Sequence, residues 1–446
     1  MVLIYSHITS ARLQYICHFI FKELMGVEFR ITVDSEEFKN HTGVKINYSD
    51  RKIDTAQDGP VFNIQGNSLL FDEIIIQQEI ICFDVHGTKV FFRTHNSDFP
   101  FDIFAASFYL VTRYEEYLPH EKDMYGRFDH KNSLAFKEDF LNIPLVNIWV
   151  AEFAKKLKER FSIFNPQYSI FNIEPTYDID IAYSYKHKGF LRNMGGFLRS
   201  PSMERIKVLQ GSQKDPFDIY VWLQELHNRY HLDPLYFFLV AERNGRYDKN
   251  ILPHKEAMWK LIKQHAKKYT VGLHPSWQSG DNTSLLKKEK LQLEAMAGRG
   301  ALSDLPALEN DLNSITKSRQ HYIRFNLPGG YNKLIEAGIT DDYSMGYGSI
   351  NGFRASVASS FSWYDLENEE QTNLRIHPFC FMDANAYYEQ KLTAKQAAEE
   401  MKHYLSVCKQ VNGTLITIWH NNFLGTAKEF KGWKEIYEEF ITLAQQ

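Results

Sequence analysis

The chain is organised around the stretch Glu174-Pro175-Thr176-Tyr177-Asp178-Ile179-Asp180-Ile181-Ala182-Tyr183, in which apolar residues flank two carboxylates. Side chains alternate along a β-strand, so Asp178 and Asp180 face the same side if this stretch is extended. Two adjacent carboxylates repel each other unless a cation or a proton lies between them. A divalent metal ion bound by one carboxylate, with the other free as a base, is one solution. A strand end whose aspartates face solvent or cap the next helix is the other reading.

Length and composition indicate an ordinary globular protein with more than one domain. The chain has 446 residues, of which 44% are hydrophobic and 24% are charged. The net charge is −4 and the basic residues are dispersed, which argues against a nucleic acid partner. The four cysteines are far apart and form no CxxC pair, a pattern typical of a reducing compartment. The sequence shows neither a signal peptide nor a transmembrane stretch, so a cytoplasmic location is expected.

Residues 1–165 are expected to form a smaller α+β domain. Turn residues at Gly66-Asn67 and at 86–89 each separate two apolar segments, which predicts two β-hairpins. Helical periodicity predicts helices over 10–25, 102–117 and 144–161.

Residues 166–446 are expected to form an α/β domain with a parallel sheet, open or closed into a barrel. Predicted helices alternate there with short apolar strands, as in βαβ units. The predicted elements include a helix over 307–317 and a strand over 322–325.

Several polar side chains lie where these predicted strands end. His274 follows the strand that begins at Thr270, His420 follows another apolar run, and His321 and Arg324 flank a third segment. Functional sites of α/β folds form at the carboxyl ends of strands. Each residue also has a plain structural reading, since most of the 17 histidines must be structural or exposed and an arginine often pairs with a core carboxylate.

The group is more informative than its members. Two aspartates with two or three histidines suit a divalent metal ion that takes nitrogen and oxygen ligands and keeps a position open for water. One carboxylate and one imidazole then remain as base and acid. This combination of residues is suited to metal-assisted hydrolysis of an amide or an ester.

Five segments, in the same order, resemble the motifs of the polysaccharide deacetylases, the NodB-homology or carbohydrate esterase family 4 domain. Residues 176–180 resemble its Thr-Phe-Asp-Asp-Gly motif, and 272–276 resemble the end of its His-x-x-x-His-Pro motif. Residues 324–331 resemble its Arg-Pro-Pro-Tyr-Gly motif, 339–346 the segment after it, and 415–420 the closing strand. The resemblance covers about residues 170–446. Residues 1–150, with Arg113-Tyr114-Glu115-Glu116-Tyr117 and Tyr125-Gly126-Arg127-Phe128, resemble an uncharacterised N-terminal domain attached to some bacterial deacetylase-like proteins.

For the metal, the resemblance implies a site that includes Asp180 and His274. The first metal-binding histidine of the family falls at Thr270, which is a poor replacement. A third ligand must then come from elsewhere. His321 is the candidate, with His377 as the alternative.

For the chemistry, the resemblance implies that Asp178 is the general base and that His420 protonates the leaving amine. Arg324 corresponds to the arginine that holds the base carboxylate. Asp342 lies where the family tunes its acid. Tyr331 corresponds to the donor of a backbone N–H to the oxyanion. The Asp-x-Asp spacing leaves open an exchange of roles between Asp178 and Asp180.

The resemblance therefore implies a distorted (β/α) barrel of NodB-homology type over 166–446, with Zn²⁺ or a similar divalent metal. The implied reaction is hydrolytic removal of an N-acetyl or other acyl group from a sugar or polysaccharide intermediate. A catalytically degenerate barrel that binds glycans or acts as a scaffold is the alternative. A metal hydrolase for another acyl or phosphoryl bond is a third reading.

Overall fold

The computed structural model describes residues 1–51, 59–298 and 314–446. Its strands are β1 Val2–Tyr5, β2 Phe29–Thr32, β3 Val44–Tyr48, β4 Phe62–Ile64, β5 Phe83–Val85, β6 Thr88–Val90, β7 Asn172–Ile179, β8 Leu235–Leu239, β9 Thr270–His274, β10 Lys317–Ser318, β11 Asp341–Asp342, β12 Phe361–Asp365, β13 Glu370–Ile376, β14 Phe381–Met382 and β15 Thr414–His420.

The α-helices are α1 Ala11–Cys17, α2 Ser35–Asn40, α3 Ile103–Val111, α4 Leu134–Lys137, α5 Leu145–Arg160, α6 Phe190–Arg199, α7 Met203–Leu209, α8 Tyr220–Tyr230, α9 Glu256–Ala266, α10 Thr283–Ala297, α11 Gly329–Glu336, α12 Ala394–Gln410 and α13 Trp433–Ala444. Helix α1 continues as a π-helical segment over His18–Leu24. None of the helices that the structure describes combines the length and the apolar character needed to cross a bilayer.

The N-terminal sheet has four strands in the order β2-β1-β3-β4, and all its pairings are parallel. The expectation of an α+β arrangement is therefore wrong for this sheet. The short helix α2, which the Asp34 side chain caps, was not expected, and it supplies the crossover that lets β3 run parallel to its neighbours.

One of the two expected hairpins is present. Strands β5 and β6 pair in antiparallel fashion around the predicted turn. The hairpin expected at Gly66-Asn67 is wrong. There the Asn67 side chain accepts a hydrogen bond from the Leu69 N–H (2.9 Å) and caps a 3₁₀ turn over Ser68–Leu70, so the chain turns into a helix rather than a second strand.

The larger sheet confirms the α/β class. Its nine strands lie in the order β12-β13-β11-β10-β9-β8-β7-β15-β14, and every pairing except that of β12 with β13 is parallel. Parallel strands place their carboxyl ends at one edge, which brings together the residues that follow β7, β9, β10, β14 and β15.

Two expected elements of this region differ. The strand expected over 322–325 is instead a 3₁₀ turn over His321–Ile323 with positive φ at Tyr322 and Ile323, and the strand lies earlier, at β10. The helix expected over 307–317 falls largely outside the described residues, and its last four positions are not helical.

The N-terminal and C-terminal regions share one hydrophobic core. A buried ion network also joins them. Glu116 accepts hydrogen bonds from Arg113 Nε (2.8 Å) and from Arg354 Nε (2.8 Å) and Nη2 (2.5 Å). Burial opposes ionisation of Glu116, but the two guanidinium groups outweigh it and lower its pKa to about 2. The network therefore stays charged and ties α3 and its following turn to the loop before β12.

Candidate metal centre

A cavity of about 430 Å³ opens at the carboxyl edge of the larger sheet. Five residues expected from the sequence line it: Asp178, Asp180, His274, His321 and His420. Asp178 lies in β7 and Asp180 directly follows it, while His274 and His420 end β9 and β15. The placement of these side chains at strand ends follows the sequence expectation.

Asp180, His274 and His321 converge most closely. One ligand atom from each lies within 4.8 Å of the others. His274 Nε2 is 3.0 Å from Asp180 Oδ1, and His321 Nε2 is 3.3 Å from Asp180 Oδ2. Asp180 Oδ1 is buried and receives a well-formed hydrogen bond from none of the described residues. A buried carboxylate oxygen in this state is suited to a cation.

The two imidazole rings are oriented by their other nitrogens. His274 Nδ1 is 2.5 Å from the Arg319 carbonyl oxygen, which can only accept a hydrogen bond, so Nδ1 carries the proton. His321 Nδ1 is 2.9 Å from Asp248 Oδ1, a second acceptor. Both Nε2 atoms therefore point at Asp180. Such an outer hydrogen bond to a carbonyl or a carboxylate is typical of metal-binding histidines.

The electrostatics of the cluster also favour a cation. Burial alone would raise the pKa of Asp180, but His321 and His274 hold it well below its usual range. Burial alone would lower the pKa of His321, but Asp180 and Asp248 raise it to about 9. In the absence of a metal, a proton on His321 therefore neutralises part of the negative charge.

Asp178 lies beside this cluster and is held through one oxygen. Its Oδ1 accepts a hydrogen bond from Arg319 Nη1 (3.0 Å), which also donates to Thr176 Oγ1 (2.6 Å). Its Oδ2 lies 3.8 Å from His274 Nε2. Asp178 and Arg319 are both almost completely buried. One carboxylate oxygen is thus anchored and the other is directed toward the cluster.

His420 approaches the same cluster from β15. Asp383 Oδ1 lies 2.6 Å from its Nδ1, and Asp383 Oδ2 accepts a hydrogen bond from its backbone N–H (2.7 Å). His420 Nε2 is 3.5 Å from Asp180 Oδ2. Burial opposes a charged ring, but Asp383 and Asp180 raise the pKa of His420 to about 10. In the absence of a metal, these two carboxylates therefore favour the protonated form of the His420 ring.

Arg324 does not hold Asp178, contrary to the sequence expectation. Its Nη2 donates to Asp281 (2.5 Å), and its guanidinium carbon lies 4.4 Å from the centre of the Trp277 indole ring. Arg319 contacts Asp178 instead. Arg319 follows β10 directly and so lies at the edge of the sheet, whereas the 3₁₀ turn carries Arg324 away from it.

Asp342 does not contact His420, contrary to expectation. It is buried in β11 and accepts hydrogen bonds from the hydroxyls of Ser318 (3.0 Å) and Ser344 (2.8 Å). Asp383 is the carboxylate that contacts His420. The backbone N–H of Tyr331 is engaged with the Pro328 carbonyl (3.0 Å), so it is not directed at the cavity.

The alternative third ligand lies elsewhere. His377 Nε2 is 2.9 Å from Asp341 Oδ1 and its Nδ1 is 2.8 Å from Ser360 Oγ, away from the cavity. Thr270 is the first residue of β9 and therefore lies at the opposite end of that strand from His274. His321 is thus the third residue that the fold brings to Asp180 and His274.

Sequence reasoning missed Arg319, Asp383 and Asp248. Asp383 follows the apolar run 379–382, so the strand-end signal that singled out His420 was present there too. Arg319 follows a strand of only two residues, which leaves no periodicity to detect. Asp248 lies in a polar loop that carries no such signal.

The N-terminal region contributes one wall of the cavity. Tyr125 and Arg127 are among its lining residues. Arg127 Nη1 donates to the carbonyl oxygen of Tyr322 (2.5 Å), the residue after His321. The Tyr125 ring lies 5.4 Å from that of Tyr322 and 6.0 Å from that of Trp277. Both regions of the chain therefore shape the site.

The N-terminal region also carries the family match of this chain. Residues 2–162 match the model of a family of unknown function, DUF7033. Among curated proteins, none matches the chain. Among solved structures, the chain is similar to a protein described as a polysaccharide deacetylase from Mycobacterium smegmatis. That match has 13% identity and a TM-score of 0.39, and it covers 62% of this chain and 84% of the other.

Proposed function

We propose that this protein is a metal-dependent hydrolase that removes N-acetyl or other acyl groups from a sugar or polysaccharide intermediate. The observation that carries the proposal is the convergence of Asp180, His274 and His321, with Asp178 and His420 beside them. The choice of a sugar substrate rests on the order of the deacetylase-like motifs in the sequence. The same resemblance assigns residues 166–446 to a distorted barrel of NodB type.

The residues fit a divalent metal ion such as Zn²⁺. One carboxylate and two imidazoles are a common donor set for catalytic zinc, which keeps a further position open. The unsatisfied Asp180 Oδ1 and the two inward Nε2 atoms support this assignment. A divalent ion bound there would supply a Lewis acid for the acyl carbonyl and for water.

The flanking residues supply the proton transfers. Arg319 holds Oδ1 of Asp178, which leaves Oδ2 to accept a proton from the attacking water. Asp383 fixes Nδ1 of His420, so the proton on Nε2 is directed into the cavity and available to the leaving nitrogen. Base and acid thus approach the reacting bond from β7 and β15, which are neighbours in the sheet.

Metal content tests the first half of the proposal. We expect near-stoichiometric Zn²⁺ in the wild-type protein and its loss in Asp180→Asn, His274→Ala and His321→Ala. The matched control is His377→Ala, which removes another carboxylate-paired histidine outside the cavity and should leave the metal content unchanged. A wild-type protein that binds no metal after Zn²⁺ is supplied would contradict the proposal and favour the degenerate, glycan-binding barrel.

Acetate release tests the second half. The metal-loaded protein should release acetate from an N-acetylated oligosaccharide, and Asp178→Asn should abolish the release while it retains the metal. Metal binding without acetate release from any N-acetylated sugar would mean that the reaction class is wrong. Release of another acyl group would support the proposed hydrolase activity and change only the proposed substrate.

A further inference from the structure

Helix α6 is amphipathic, but its apolar side faces solvent. Phe190, Leu191 and Leu198 are 78%, 77% and 76% exposed, and Met194 is 45% exposed. Their spacing places them on one stripe of the helix. A surface helix normally turns such a stripe toward the core, so an outward stripe points to an apolar surface outside this chain.

Hydrogen bonds to the rest of the chain hold the polar side of α6 inward. Arg192 Nη1 donates to the Asn250 carbonyl oxygen (3.1 Å). Asn193 Nδ2 donates to the Tyr185 carbonyl oxygen (2.9 Å), and Arg205 Nη1 donates to the Asn193 carbonyl oxygen (3.0 Å). These contacts fix the rotation of the helix about its axis, and they keep the apolar stripe directed outward.

The charge around α6 identifies the kind of surface. Residues 181–218, which include the acidic side chains Glu204 and Asp215 that contact the segment before α6, contain seven lysines and arginines and three acidic residues, although the whole chain has a net charge of −4. Basic residues beside an exposed apolar stripe are typical of helices that lie in the interface of an anionic bilayer. Contact with a second copy of the same surface would bring like charges together, which disfavours self-association.

The position of α6 relates it to the cavity. Asn250 is buried; its Nδ2 donates to the carbonyls that end β7 and β8 (2.9 Å each), and its Oδ1 accepts from the Ala182 N–H (2.9 Å). The Asn250 carbonyl oxygen accepts from Arg192 of α6. Ile181, in the segment that leads from β7 to α6, lines the cavity. The helix is therefore anchored at the edge of the sheet that holds the candidate site.

We propose that α6 docks on the surface of an anionic phospholipid bilayer. The apolar stripe enters the interface, and Lys186 and the exposed Arg199 lie near the lipid phosphates, while Arg192 stays engaged with the rest of the chain. The site at the carboxyl edge of the sheet is then held at the membrane surface. Resting on the proposed function, this points to an acylated sugar that is presented at a membrane, such as a glycan attached to a lipid.

Co-sedimentation with vesicles tests the docking without reference to hydrolysis. The wild-type protein should bind vesicles of phosphatidylcholine mixed with phosphatidylglycerol, and bind phosphatidylcholine alone much more weakly. The double variant Leu191→Asp/Leu198→Asp should lose about tenfold or more of its affinity for the mixed vesicles. Lys186→Glu/Arg199→Glu should lose about tenfold as well, and the loss should shrink as salt is added.

Two controls make the outcome decisive. Leu291→Asp changes a leucine on α10 that is 65% exposed and should leave vesicle binding unchanged. Asp180→Asn should bind vesicles as the wild-type protein does, so a failure of docking and a failure of the proposed hydrolysis remain distinguishable. No binding of the wild-type protein to mixed vesicles, or equal binding by Leu191→Asp/Leu198→Asp, would overturn the proposal. If light scattering shows that the wild-type protein is a dimer and that Leu191→Asp/Leu198→Asp is a monomer, the apolar stripe would instead contact a second copy of this chain.

Discussion

Strand β7 separates two groups of buried or half-buried histidines that differ in their surroundings. On one side, His321 and His420 face the carboxylates of the cavity, and their pKa values are raised to about 9 and about 10 against the opposing effect of burial. On the other, burial lowers the pKa of His227 to about 3 and that of His265 to about 4. Burial is common to both groups, so the neighbouring carboxylates decide the sign of the shift.

The second group has aromatic neighbours in place of carboxylates. His227 Nε2 is 2.7 Å from the Tyr177 hydroxyl, and the His265 ring lies 4.6 Å from the Tyr236 ring. Tyr177 immediately precedes Asp178 in β7, and the alternation of side chains sends the two to opposite faces. One strand thus supplies a neutral core on one face and a charged site on the other.

The largest expected effect comes from removal of the cation that balances Asp178. Arg319→Met should destabilise the protein by about 3–5 kcal/mol, because it leaves a buried carboxylate unpaired. Arg324→Met is the matched control, since it breaks an ion pair with the exposed Asp281 and should cost less than about 1 kcal/mol. Denaturant unfolding measures both. Equal losses of unfolding free energy in the two variants would mean that the buried pair of Arg319 and Asp178 contributes no more to stability than the exposed pair of Arg324 and Asp281.

A smaller effect is expected from the partner of His420. In the metal-free protein, Asp383→Asn should lower the pKa of His420 by about 1–3 units, because it removes the closest negative charge. A raised histidine pKa stabilises the fold fully below the unfolded value and loses that contribution as pH rises through about 10, so the variant should lose stability at neutral pH. NMR titration of the ring provides the measurement.

The control for this titration is Asp341→Asn, which removes the carboxylate paired with His377. It should leave the His420 titration unchanged. A His420 pKa that is insensitive to Asp383→Asn would show that Asp180 and Asp178 alone set it.

The smallest effect concerns the aromatic side of β7. A histidine with a lowered pKa binds protons more readily in the unfolded chain, so stability should fall as pH drops from 6.5 toward about 4. Each such histidine contributes a slope of about 1.4 kcal/mol per pH unit within its window. His227→Phe should remove one such contribution. If the dependence of stability on pH has the same slope in His227→Phe as in the wild-type protein, other titratable groups must cause the loss of stability at low pH.

Local patterns predicted much of the candidate site but not its supporting contacts. Asp178, Asp180, His274 and His420 were found because apolar runs end at them, a signal contained in a few consecutive residues. The parallel N-terminal sheet was missed because it depended on a six-residue helix, and short helices have weak periodicity. Helix α6 was not predicted from the sequence, and its apolar pattern would not have shown which side the helix turns to the core.

The sequence by itself determined the α/β class, the face of β7 that carries two carboxylates and the strand ends that carry histidines, since these depend on a side-chain period of two and on short apolar runs. Only the tertiary structure decided which side chains contact the aspartates and histidines of the site. Asp383 contacts His420 because β14 pairs with β15, whereas Asp342 ends β11 on the far side of β7. Arg319 contacts Asp178 because β10 ends at the cavity and Arg324 lies beyond the turn. Partner choice follows strand order in space, which the order of residues along the chain does not contain.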